Sequence, residues 1–235
     1  MTVPLPPEPV EDRIANRLSA RAKVRPTSWP VGLLHGAGRL DRAVYRSVAG
    51  LSTPYLDRPL SRVSGFANHS KPWFLIAACL AVFGGKRGRH AALTGAAAIG
   101  VTSFVVNQPM KLARRRSRPD RLQLGVPTSR WVSMPLSTSF PSGHSASAAA
   151  FAVSVGHVLP ATRIPLRLAA ATVAFSRVYT GVHYPGDVVV GATVGALIGL
   201  GISKVFRPRR RAAGHRRPGS GVEDGPDSAK KSRST

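Results

Sequence analysis

Residues 141–159 read Pro141-Ser-Gly-His144 and then SASAAAFAVSVGHVL through Leu159, and this stretch decides the fold class. A short polar motif runs straight into Ser145–Leu159, which carries no Asp, Glu, Lys or Arg. A surface helix of a water-soluble bundle needs a hydrophilic face, and this segment has none. Val188–Ile202 is equally free of charge. Further apolar runs lie at Trp73–Gly85, Ala91–Val106 and Leu166–Ser176, and the last run extends from Val188 to Phe206. A helix crossing the hydrocarbon core needs about 20 residues, so the first four runs must borrow flanking polar residues, whereas the last is nearly sufficient alone. Gly and Ala are frequent in these runs, as in close-packed membrane helices. The expected fold is therefore all-α: a polytopic membrane helical bundle of five to six spans, with its polar motifs gathered on one membrane face.

Composition shifts mark the ends. Residues 1–30 place Pro4, Pro6, Pro7, Pro9, Pro26 and Pro30 among charged side chains and read as a flexible, Pro-rich basic tail. Residues 31–206 form the bundle domain, and 207–235, beginning Arg207-Pro-Arg-Arg-Arg, read as a disordered basic tail. The first thirty residues lack the continuous apolar core of a signal peptide, so internal helices direct insertion. Leu40, Val44, Tyr45, Val48 and Leu51 recur at helical spacing, with Asp41, Arg42 and Arg46 on other faces. That pattern fits an interfacial amphipathic helix and an ordinary packing helix equally well. Cys79 is the one cysteine, so no intrachain disulfide can form, and its apolar setting predicts a buried small residue.

The chain has 235 residues, 34 Lys and Arg against 10 Asp and Glu, and a net charge of +24. Such a balance favours partners with closely spaced phosphates. The basic residues flank apolar runs and fill the loop 111–130, without the aromatic interleaving of a nucleic-acid groove. The expected partner is an anionic lipid bilayer, not nucleic acid. A basic cluster just after the last run reads as cytoplasmic, which puts Asp187 at the opposite, extracytoplasmic end of that helix. Five spans would put the basic N-terminal segment outside too, unless the region from Pro30 to Pro59 crosses or re-enters the membrane.

Three polar stretches carry the chemistry: Lys111-Leu-Ala-Arg-Arg-Arg-Ser-Arg118-Pro119, Pro141-Ser-Gly-His144, and Ser176-Arg-Val-Tyr-Thr-Gly-Val-His183-Tyr-Pro-Gly-Asp187. Counting runs places all three on one side of the bundle, because two helices separate the second from the third. Arg offers a planar fork of donors to phosphate oxygens and Lys a mobile point charge. Lys111, Arg118 and Arg177 are the candidate cations, whereas Arg114, Arg115 and Arg116 read as headgroup-facing charges. Gly143 permits close approach to an anion at the start of a helix, where backbone N–H groups lack partners, and Ser142 either caps that helix or donates to an oxygen.

The spacing K-x6-RP, then PSGH, then SR-x5-H-x3-D resembles the three-part signature of the type 2 phosphatidic acid phosphatase family, with no position missing, and the chain looks like its actinobacterial members. The resemblance implies a membrane lipid phosphatase acting on phosphatidic acid or a polyprenyl phosphate or diphosphate. It implies His183 as the nucleophile that forms a phosphohistidine, and His144 as the general acid that protonates the leaving alkoxide. It also implies that Asp187 pairs with His183, and that Lys111, Arg118, Ser142, Gly143 and Arg177 hold the phosphate. No metal or other cofactor is expected, because from Arg58 to Val222 the only carboxylates are Asp120 and Asp187, too few for a two-metal centre. Two other readings compete: a phosphotransferase whose phosphohistidine is intercepted by a second lipid, and a catalytically silent polybasic scaffold. Of the remaining histidines, His35, His90, His157 and His215 read as structural or surface residues. His69, in Asn68-His69-Ser70 just before the first apolar run, is expected at the same interface as the motifs.

Overall fold

The computed structural model describes residues 29–113 and 116–207, with side chains from residue 38 onward, so both predicted tails lie outside the described residues apart from Trp29, Pro30 and Arg207. Among the described residues the helices longer than ten residues are α1 (Trp29–Ala49), α2 (Pro54–Phe66), α3 (Lys71–Phe83), α4 (Gly85–Val105), α5 (Gly143–Val158), α6 (Arg163–Tyr179) and α7 (Pro185–Val205). No strand occurs among the described residues. Helix α1 includes Trp29 and Pro30, the last two residues of the segment read as tail. Each of the five apolar runs becomes one of the helices α3 to α7. Among the described residues only Gly85–Ala113, where α4 continues through a π turn at Val106–Met110, and Pro185–Val205 are long and apolar enough by themselves to cross a membrane. Helices α3, α5 and α6 have 13, 16 and 17 residues, short of the roughly 20 that a span requires. The expected count of five to six spans is thus not reproduced by helix length.

Helix α5 sits at the centre and packs on α4, α6 and α7. Ten of its sixteen residues are buried, on all sides, which explains the missing polar face. Ser142 caps it: its hydroxyl accepts the Ser145 N–H at 3.4 Å. The main core lies between α3, α4, α5 and α6, around Trp73 and Phe151, whose ring centroids are 5.6 Å apart. Cys79 is exposed, which corrects the expectation that it is buried. On α3 the buried positions are Trp73 and Ala77, one turn apart, and Cys79 falls on the opposite face.

The α5–α7 contact is unusually close. Gly191, Gly195 and Gly199 repeat every four residues, and a Cβ there would stand 2.4, 2.0 and 2.6 Å from the carbonyl oxygens of Ser142, Ala146 and Ala150. The stripe lets two backbones touch, in the small-residue manner of membrane helix pairs.

A second, smaller core of Tyr45, Ala49, Val126 and Val178 joins α1 to α6 and the α4–α5 loop. Tyr45 is buried, while Leu40 and Val44 on the same helix stay exposed, so α1 is a packing helix on one face and apolar toward its surroundings on another. Arg130, 1% exposed, locks this region. Its Nε donates to Asp57 Oδ1 at 2.8 Å, and its Nη1 donates to the carbonyls of Val48 and Ala49 at 3.2 Å each. Tyr179 adds a 2.5 Å hydrogen bond to the same carboxylate.

Gly195→Val should therefore abolish assembly of the bundle or cost well over the roughly 1–3 kcal/mol of ordinary overpacking, because the clash is with backbone. Gly201→Ala, where nothing lies within 4 Å of the added Cβ, should leave thermal unfolding in detergent unchanged.

Candidate active site

The three motifs meet in one cleft of about 220 Å³. Lys111 arrives from the turn that ends α4, Arg118 from the loop beyond it, Gly143 and His144 from the first turn of α5, and His183 from the α6–α7 turn; all five line the cleft. Ser142, Arg177 and Asp187, the other three residues singled out in the sequence, lie buried behind the wall. The α6–α7 turn is possible because Gly181 adopts φ +70°, where a Cβ would come within 2.8 Å of the Tyr45 hydroxyl.

His183 is 2% exposed. Its Nε2 lies 3.2 Å from Arg118 Nη1. A guanidinium only donates, so Nε2 must accept and presents a lone pair at the cleft wall. The ring proton is then on Nδ1, which faces Ser139 Oγ at 3.5 Å and Asp187 Oδ2 at 3.7 Å. Asp187 is therefore beyond direct hydrogen-bond reach, and Ser139, whose hydroxyl donates to Asp187 Oδ2, stands between them. Burial above all, opposed by the pull of Asp187 and reinforced by Arg118 and Arg177, pushes the His183 imidazole down to about 4. At neutral pH it is uncharged, the state a nitrogen nucleophile needs.

Asp187 is held on every side. Tyr184 N–H donates to its Oδ2 at 3.0 Å, capping α7, and Arg116 Nη1 donates to its Oδ1 at 2.8 Å. The Arg116 guanidinium also bonds Asp41 on α1 at 2.5 Å and sits 4.0 Å from the centre of the Tyr184 ring. Asp41 in turn accepts the Gly186 N–H at 2.6 Å. Arg116 is thus a structural cation of the site and not the headgroup-facing charge its position in an arginine run suggested. Arg114 and Arg115 lie outside the described residues.

The candidate phosphate ligands differ in readiness. Lys111 Nζ donates to Ser137 Oγ at 3.1 Å, and Arg118 is anchored by the carbonyls of Ser137 (2.9 Å) and Val182 (2.8 Å). Burial holds the Arg118 guanidinium below its ordinary range. Arg177 donates through Nη1 to the carbonyl and hydroxyl of Ser64, and its Nε and Nη2 are buried with no hydrogen-bond partner. Ser142 is fully buried, its hydroxyl engaged with the first turn of α5. His144 sets its Nε2 2.9 Å from Asn68 Oδ1. Among the described residues no group of three or more His, Cys, Asp or Glu side chains is placed to hold a metal ion.

Residues 91–211 match the PAP2 superfamily model. The chain belongs to the PAP2 superfamily. A relative from Mycobacterium tuberculosis, named decaprenylphosphoryl-5-phosphoribose phosphatase, is 32% identical over 182 residues, 75% of this chain and 98% of its own length. The fold matches the crystal structure of a transmembrane PAP2 type phosphatidylglycerolphosphate phosphatase from Bacillus subtilis, with TM-score 0.59 and 22% identity over 75% of this chain and 89% of that one. Aquifex aeolicus LpxE aligns with TM-score 0.55 and 27% identity over 69% and 93%. This PAP2 protein is accordingly a phosphatase that hydrolyses phosphate esters, built on the fold of integral membrane enzymes.

Asp41, Arg116, Ser139 and Asn68 belong to this PAP2 site and were not legible as such. Arg116 is masked by its neighbours, whereas Asn68-His69-Ser70 gave a faint signal as a polar triplet ahead of an apolar run.

Two outcomes are expected. First, ¹⁵N-histidine NMR, with His183 assigned by difference from His183→Gln, should show no protonation of His183 between pH 8 and 5.5; a midpoint near 6.5 would contradict the burial argument. Because the folded-state value lies below that of the unfolded chain, the stability His183 contributes is complete above about 6.5 and is lost as pH falls toward 4. Second, Arg116→Met leaves the buried Asp187 carboxylate short of its cation, so thermal stability in detergent should fall by on the order of 3 kcal/mol, with Arg116→Lys recovering part.

Proposed function

We propose that this PAP2 phosphatase removes phosphate from a membrane lipid through a phosphohistidine at His183, with no metal ion, and that polyprenyl-linked phosphates are preferred over phosphatidic acid. The observation that carries the reading is the buried His183 lining the cleft with its unprotonated Nε2 3.2 Å from Arg118 Nη1, a donor that a bound phosphate oxygen would draw away. The polyprenyl preference is supported by the mycobacterial relative, whose name describes such a substrate and whose length is almost wholly covered.

The chemistry runs in two displacements. Nε2 attacks phosphorus in line and the P–O bond to the lipid alcohol breaks; His144, protonated on both nitrogens once the phosphate's negative charge is bound beside it, keeps its Nε2–H on Asn68 and gives its Nδ1 proton to the departing oxygen. Lys111, Arg118 and Arg177 offset the charge on the non-bridging oxygens, and the first turn of α5 offers N–H groups from Gly143 and His144. As Nε2 becomes bonded to phosphorus the ring turns cationic, and the Ser139–Asp187 pair on the Nδ1 side stabilises it. Water then attacks phosphorus, His144 takes up its proton, the P–N bond breaks, and orthophosphate leaves with His183 neutral again. The basic segment after α7 supports an extracytoplasmic cleft by the positive-inside rule.

Phosphate release by detergent-purified protein should be unaffected by EDTA and fall by at least about 10³ in His183→Ala, since covalent and acid–base groups each contribute roughly 10²–10⁴. Rapid acid-free quenching with ³²P-labelled lipid should trap a labelled protein only when His183 is present. Loss of activity with EDTA would overturn the metal-free mechanism, and turnover only when a second lipid alcohol is added would convert the reading to phosphotransfer.

A further inference from the structure

The cleft has lining residues that neither the signature motifs nor the matched residues 91–211 account for in full. Besides Lys111, Arg118, His144 and His183 it is lined by His69, Ser70, Ser103, Asn107 and Ser147. This second set holds hydroxyls, an amide and an imidazole, and no Lys, Arg, Asp or Glu. Two of its members come from the segment linking α2 to α3. There His69 and Ser70 both take the left-handed backbone, with φ +56° and +58°. Consecutive non-glycine residues in that region cost on the order of 1–2 kcal/mol each. The segment is therefore held in place against its local preference, and the turn it makes sets Asn68 against His144 and His69 and Ser70 on the cleft wall.

The Asn68 contact has a defined sense. An amide oxygen only accepts, so the 2.9 Å approach of Asn68 Oδ1 fixes the His144 Nε2 as the protonated nitrogen and sets the plane of the ring. The charged and titratable groups around that ring are Lys111 from the end of α4, Arg118 and His183 from the two loops, Arg177 from α6, and His69 beside Asn68.

Resting on the phosphatase reading above, we propose that Asn68–Ser70 forms the leaving-group side of the site: Asn68 is a positioning residue for the general acid His144, and His69 with Asn107 receives the hydroxyls of a polyol alcohol. The cleft's lining cations, Lys111 and Arg118, are taken by the phosphate under attack, and this second set adds no Lys or Arg for another phosphate. A bare hydrocarbon chain would leave its hydroxyls and amide unpaired, at a cost of roughly 1–3 kcal/mol each. An alcohol rich in hydroxyls, whether a sugar or a glycerol, pairs with them. Sites built to hydrogen-bond a hydroxyl discriminate strongly against analogues that lack it.

The test compares three phosphomonoesters on the full-length, detergent-purified protein: p-nitrophenyl phosphate, dodecyl phosphate and ribose 5-phosphate. A nitrophenolate leaves without help from an acid, whereas an alkoxide does not, so the ratio between substrates reports on His144 and not on folding. Asn68→Leu should reduce kcat/KM on ribose 5-phosphate and dodecyl phosphate by roughly 10²-fold, the lower range of general-acid effects, with a loss at least tenfold smaller on p-nitrophenyl phosphate. His69→Gly, which tolerates the left-handed backbone, and Asn107→Leu should raise KM for ribose 5-phosphate more than for dodecyl phosphate. Glycerol 3-phosphate in place of ribose 5-phosphate separates the two polyol sources. Equal losses on all substrates in every variant would overturn the proposal. A wild-type protein that cleaves none of the three would instead sink the phosphatase mechanism on which it rests.

Discussion

The site depends on how closely two helices can approach. Gly191, Gly195 and Gly199 allow the backbone of α7 to lie against the carbonyls of α5. At the top of that contact the Ser142 N–H donates to the Asp187 carbonyl at 2.9 Å. His144 lies in the first turn of one helix and Asp187 in the first turn of the other, so the His144 imidazole and the carboxylate behind His183 share a spacing set by main-chain contact. Larger side chains at the stripe would separate the two halves of the chemistry before altering any reactive group. Main-chain contact is also stiffer than side-chain contact, which suits a reaction that tolerates little error in the placement of its groups.

Around that contact the protein arranges charge in layers. The cleft wall carries Lys111 and Arg118, Arg177 lies buried behind with two unpartnered nitrogens, and Arg116 neutralises Asp187 from the rear. The cations outnumber the carboxylates, and the buried imidazole between them stays neutral because a proton there would meet the field of Arg118 and Arg177 in a poorly solvated setting. The arrangement thus prepares for a dianionic ligand, whose arrival would relieve the repulsion among the cations.

Much of this was legible in the sequence. The apolar runs marked the helices α3 to α7 because segments kept from water, by protein around α5 and by exposed apolar faces elsewhere, leave a compositional trace, and the spacing of Lys111, Arg118, Gly143, His144 and His183 marked the cleft because each is tied to a local turn or helix start. What stayed hidden depends on long-range pairing. Asp41 meets Arg116 across 75 positions and Asn68 meets His144 across 76, and no local pattern in an amphipathic helix or an arginine run signals such a meeting. Cys79 was misjudged for a related reason. Apolar neighbours show that a residue avoids water, but in a membrane protein they do not say whether it faces protein or lipid.

The short helices have a consequence for how substrate is met. At about 1.5 Å per residue, α3, α5 and α6 run only about 20–26 Å, less than the roughly 30 Å hydrocarbon core. Of these α5 is enclosed by protein, but α3 and α6 expose apolar side chains such as Phe74, Leu75, Ile164 and Leu168, and helices this short would meet a bilayer with a hydrophobic mismatch, which is accommodated by local thinning or by letting headgroups sink. The dip would form next to the cleft mouth, lowering the lipid phosphate toward His183 while its chains remain in the leaflet. In that geometry a lipid substrate would not have to leave the leaflet to react.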